Sequence, residues 1–88
     1  PSNLFFWRDS SRNEVDILAE QGEQLLPVEV KAGRTITADY FTALQRWISL
    51  AGRIAGPAHL VYAGDAPQQR QSVNVIPWHD ISRLSATL

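Results

Sequence analysis

Asp16, Glu29 and Lys31 are residues whose types and spacing suit chemistry on a charged substrate. Glu14 and Asp16 are two apart, and so are Glu29 and Lys31. Residues two apart on a strand point the same way. Paired strands lie about 4.8 Å apart, so a hairpin register that sets Asp16 near Glu29 would let their carboxylates share one divalent cation. Mg²⁺ takes oxygen ligands, usually one or two carboxylates with waters and substrate phosphate. The Val30 carbonyl offers a further oxygen. Lys31 beside such an ion would orient or help deprotonate an attacking water, or neutralise charge on a scissile phosphate. Lys31 is the single lysine among eight basic residues. Arginine does not readily give up its proton and is a planar fork, so it replaces a compact ammonium poorly. The plain alternative is a surface ion-pair patch, in which opposite charges across strands contribute only about 0.2–1 kcal/mol.

The elements that must position these residues follow from periodicity. Leu4 to Arg8 is aromatic and apolar and predicts a strand, followed by a turn cluster from Asp9 to Asn13. Glu14 to Glu20 alternates, with Val15, Ile17 and Ala19 on one side, although Leu18 interrupts the polar side. Gln21-Gly22-Glu23 is a hairpin connection. Gln24 to Lys31 alternates again, and Pro27 must fall where one side of the ladder is interrupted, since it has no N–H. Thr37 is the expected N-cap of a helix carrying Phe41, Leu44, Ile48 and Ala51 at helical spacing, stopped at Gly52. Strands follow at His59–Ala63 and Val73–Trp78, joined by a polar loop from Ala66 to Ser72. A terminal helical turn is expected within Asp80–Leu88. The order is βββαββ. A right-handed crossover between the third and fourth strands puts the helix on one face of the sheet. That face is expected to carry Val15, Ile17, Leu26, Val28 and Val30, leaving Glu14, Asp16, Glu29 and Lys31 on the opposite face.

Asp16, twelve intervening residues and then Glu29-Val30-Lys31, on consecutive strands before a helix, resembles the D…ExK signature of the PD-(D/E)XK nuclease superfamily. Six ordered blocks tighten the likeness: Phe6-Trp7-Arg8-Asp9, Glu14-Val15-Asp16, Val28-Glu29-Val30-Lys31, the Phe41…Leu44…Trp47 helix, Val61-Tyr62-Ala63-Gly64-Asp65 and Val75-Ile76-Pro77-Trp78. Together they resemble the C-terminal domain of unknown function that follows AAA+ ATPase modules in bacterial and archaeal proteins. The resemblance implies a restriction-endonuclease-like α/β fold with a mixed sheet, one main packing helix and Mg²⁺-dependent phosphodiester chemistry. It makes Asp16 and Glu29 the metal-ligand candidates and Lys31 the catalytic one. Gln45 corresponds loosely to a polar helix residue kept near the site in related nucleases. The superfamily core also has a helix with an acidic residue before the first strand. Only three residues precede the first expected strand, so that helix is expected to lie outside this stretch, and Glu14 is the candidate substitute.

Composition narrows the classes. At 88 residues the chain is one domain. It has no cysteine, which excludes a disulfide scaffold and a thiolate site. It has no methionine, so it is expected to be a piece of something longer, which the resemblance implies is an ATPase-containing protein. A net charge of −1 excludes a strongly basic nucleic-acid-binding domain. No apolar run is long enough to span a membrane, and a cytoplasmic location without membrane partners is expected. His59 and His79 lack metal-ligand partners at helical spacing and are expected to have a structural or surface role. Trp7, Trp47 and Trp78 are expected in the core or an interface. Two functions remain. One is a nuclease module of an ATPase, acting on DNA rather than RNA. The other is a catalytically degenerate binding, regulatory or homodimerisation module.

Overall fold

The computed structural model describes residues 4–11, 13–82 and 84. The strands are β1 (Leu4–Arg8), β2 (Glu14–Gln21), β3 (Gln24–Val30), β4 (Ala58–Tyr62), β5 (Gln68–Arg70) and β6 (Val73–Pro77), with helix α1 (Thr42–Ala51) between β3 and β4. They form one mixed sheet in the order β1-β2-β3-β4-β6-β5. β1, β2 and β3 are an antiparallel meander, whereas β3, β4 and β6 run parallel. The chain is thus α/β with one main helix, as its periodicity implies. β5 lies inside the stretch expected to be loop, and it pairs antiparallel with β6. Its sequence, Gln-Gln-Arg, has no apolar alternation to announce a strand.

Local sequence explains the joints. Gly22 adopts φ +60° in the β2–β3 turn, a conformation that costs glycine nothing. Pro27 pairs with Leu18 of β2 but precedes the β3–β4 ladder, which begins at Val28 and His59. Leu25 meets Ala55 in an isolated bridge on the other side of it. The proline therefore occupies a gap in hydrogen bonding on the β4 side. The entry to α1 is a 3₁₀ turn over Ala38–Phe41. Thr37 caps no backbone N–H there; its hydroxyl donates to the Asp39 carboxylate instead. Gly52 ends α1 with φ +58°. At the C-terminal end a 3₁₀ turn spans Trp78–Asp80, and Ser82 and Leu84 are helical. The remainder of the expected terminal turn lies outside the described residues.

The expected facing of the sheet is corrected in one respect that matters for the site. The core beneath α1 contains Val15, Leu18, Phe41, Leu44, Trp47, Leu60, Val73 and Val75. A second cluster, Val28, Val61, Ile76 and Leu84 with Ile17, lies apart from it. Ile17 and Val28 therefore do not meet the helix. The cause is a β-bulge. From the Phe5–Leu18 pair to the Trp7–Val15 pair, β1 advances two residues while β2 advances three. The extra residue lets Val15 and Leu18 share a face although they are three apart. On β3, Glu29 pairs with Leu60 of the helix-side core, so Glu29 faces α1 rather than away from it.

Candidate active site

The bulge in β2 and the end of β3 meet at the site. Asp16 lies at the bulge, where its backbone N–H and carboxylate both engage β3. The Asp16 N–H donates to Glu29 Oε1 at 3.2 Å. The Val30 N–H donates to Asp16 Oδ2 at 2.8 Å. A carboxylate thus accepts a β3 amide at the open end of the hairpin. Asp16 is exposed, whereas Glu29 is only 3% exposed.

Burial pushes the Glu29 carboxyl up to about 8, with help from the hydrogen bond and negative charge of Asp16. Lys31 opposes that rise without overcoming it. Lys31 Nζ stands 3.8 Å from Glu29 Oε2 and 5.5 Å from the centroid of the Tyr40 ring. At neutral pH the Lys31–Glu29 approach is therefore mostly ammonium against a neutral carboxyl, a weaker contact than the distance alone suggests. The ammonium also lies near Asp39, whose carboxyl is held below its ordinary range chiefly by the Thr37 hydroxyl. The 3₁₀ turn before α1 is thus one wall of the site. Nothing local in the sequence marks Tyr40 as part of a site.

The other expected site residues lie elsewhere. Glu14 is exposed and forms an ion pair with Arg8 Nε at 3.2 Å. Its carboxylate turns to Arg8 rather than to the Asp16–Glu29 pair. Gln45 donates from Nε2 to the Gln71 carbonyl at 2.8 Å. Gln71 and Ser72 have positive φ in the β5–β6 turn, so Gln45 secures that strained turn. Asp9 organises the β1–β2 turn: its carboxylate accepts from the Ser11 and Asn13 backbone N–H groups and from Asn13 Nδ2. Arg46 of α1 adds an ion pair at 3.7 Å, tying the helix to the β1–β2 loop. Among the described residues, no three His, Cys, Asp or Glu side chains gather in a metal-binding group. What the structure brings together is the pair Asp16 and Glu29, with Lys31 beside it.

The family model for DUF4143, a domain of unknown function, matches residues 1–81. The chain belongs to the DUF4143 family. No curated protein and no solved structure matches it. The match to DUF4143 spans every strand and the helix, so the Asp16–Glu29–Lys31 end of the sheet lies inside the family's own domain. Among the described residues of this DUF4143 domain, no helix is long and apolar enough to cross a membrane.

Proposed function

We propose that this DUF4143 domain is a PD-(D/E)XK-like module that holds one Mg²⁺ between Asp16 and Glu29 and acts on phosphodiesters of DNA. The two hydrogen bonds that lock these acids together, Asp16 N–H to Glu29 Oε1 and Val30 N–H to Asp16 Oδ2, carry the reading. Two acids packed this closely, one of them buried and kept protonated without a cation, form a place where a divalent ion can take the position of a proton. The residues present therefore fit the ion, with Asp16 and Glu29 as its protein ligands and water or phosphate completing the oxygen set. Mg²⁺ bound there would stabilise negative charge on the phosphate and lower the pKa of a water. Lys31 supplies an ammonium beside the pair, placed to balance charge on the phosphate. Tyr40 and Glu29 limit where that ammonium can go. The six-block resemblance further supports work as the C-terminal module of an AAA+ ATPase, in the cytoplasm.

A second reading, a catalytically degenerate module that binds a partner or a second copy, is favoured by β1. This edge strand exposes Leu4, Phe5 and Phe6, and such edges are sites of strand addition. The deciding experiment is cleavage of plasmid DNA with Mg²⁺. Nicking is expected for the parent protein and at least ~100-fold less for Lys31→Ala and Asp16→Ala, the order of effect of losing a charge-stabilising group. No cleavage by the parent, or equal cleavage by the variants, would leave the degenerate reading in its place.

A further inference from the structure

Parallel strands β3, β4 and β6 end side by side at Val30, Tyr62 and Pro77, just before Lys31, Ala63 and Trp78. Ligands of open parallel sheets bind outside the carboxyl ends of the strands. A cavity of about 300 Å³ opens there, with Val30, Lys31, Val61, Tyr62 and Trp78 in its lining. The lining is apolar except for Lys31. The Tyr62 hydroxyl adds no free group, since it donates to the Ala66 carbonyl and accepts from the Ala66 N–H. Trp78 is 60% exposed at the start of a 3₁₀ turn, directly after Pro77. Pro77, fully buried in β6 with its φ fixed by its ring, anchors the backbone from which the indole projects. The larger hollow of about 530 Å³ by His59, Gln69 and Asn74 has no cation in its lining, so it offers nothing to a phosphate.

We infer that the cavity at the ends of β3, β4 and β6 takes one unstacked nucleobase against Trp78, with the attached phosphate at Lys31. An apolar slot with an indole wall, bordered by the one lysine, matches a flat heterocycle carrying one phosphate. The size suits a single base, at the small end of ligand pockets of roughly 300–1,000 Å³. A base can reach the indole only out of its duplex stack, so the substrate is single-stranded or frayed DNA rather than intact duplex. This rests on the phosphodiester reading of the Asp16–Glu29 pair and names the substrate form it would accept.

The test titrates a single-stranded hexadeoxynucleotide into the protein in EDTA, reading tryptophan fluorescence and anisotropy. Base–aromatic stacking loss corresponds to about a 5- to 150-fold fall in affinity, expected for Trp78→Leu and largely restored in Trp78→Phe. Trp78 is exposed, so Trp78→Leu should fold, and unchanged circular dichroism checks this. Undiminished binding by Trp78→Leu, or no restoration by Trp78→Phe, would overturn the assignment. So would tighter binding of the matching duplex than of the single strand. A preference for the matching ribo-oligonucleotide would overturn the DNA part. Mg²⁺ titration of the parent protein separates the two ideas: intact Mg²⁺ binding with oligonucleotide binding that does not depend on Trp78 breaks only this inference. Intact oligonucleotide binding with no Mg²⁺ binding breaks only the metal reading.

Discussion

Glu29 and His59 are equally buried, each 3% exposed, on neighbouring parallel strands. They face opposite sides of the sheet. Glu29 pairs with Leu60 of the helix-side core, and His59 pairs with Val28 of the second cluster. Glu29 is surrounded by partners: the Asp16 N–H, the Asp16 carboxyl and the Lys31 ammonium. His59 Nδ1 has none. A buried polar group costs stability unless it is bonded. Both groups respond by staying neutral, but for different reasons. Burial alone holds His59 below the usual histidine range, against a pull from the Pro57 carbonyl. Glu29 is neutral because burial is joined by a second acid, and that arrangement has something to gain from a cation. The difference distinguishes a polar residue tolerated in a sheet from one that belongs to a site.

The two groups should give the pH dependence of stability opposite slopes. Glu29 ionises near 4.5 in the unfolded chain and near 8 in the folded one. The stability linked to it is full below about pH 4.5 and is lost as pH rises to about 8, a fall on the order of a few kcal/mol. His59 is depressed below 6.5 in the folded chain. Its contribution is present above that value and is lost as pH falls. Urea unfolding in EDTA from pH 4.5 to 9 should therefore show declining stability for the parent. Glu29→Gln should remove the decline, the largest effect of the set. His59→Gln should steepen it on the acid side, a smaller effect. A parent with flat stability over this range would dissolve the contrast between the two residues.

The weakest effect belongs to Glu14. Its pair with Arg8 is exposed on both sides, and such pairs contribute about 0–1 kcal/mol. Glu14→Gln should change the urea midpoint little and Mg²⁺ affinity less than about twofold, since ligands and their immediate partners carry the 10–100-fold effects. A large loss of Mg²⁺ binding would return Glu14 to the site and move the boundary of the charged region toward β1.

Much of the fold could be read from alternation and punctuation. The meander, the helix from Phe41 to Ala51 and the strands around Leu60 and Val75 all lie within a few residues of their expected places. Even the position of Pro27 followed from its missing donor. The facing could not be read, because every residue of β4 is buried and β3 is apolar on both sides. Parity is informative only where one face meets water. Leu18, the residue that spoiled the polar side of β2, was the trace of the bulge. A one-residue insertion changes which residues share a face without changing composition. The pairing of Asp16 with Glu29 was legible from the hairpin spacing. The roles of Tyr40, Asp9 and Gln45 depend on contacts between elements distant in the chain, which no local pattern encodes.

The central claim, that Asp16 and Glu29 form a cation site, is tested most directly by calorimetric titration of the protein with Mg²⁺ at pH 8.5, beside Asp16→Asn, Glu29→Gln and His59→Gln. The account predicts binding of one ion by the parent and by His59→Gln, and at least ~100-fold weaker binding by the other two, beyond the 10–100-fold range of supporting residues. No binding by the parent, or binding that survives Asp16→Asn and Glu29→Gln, would contradict it.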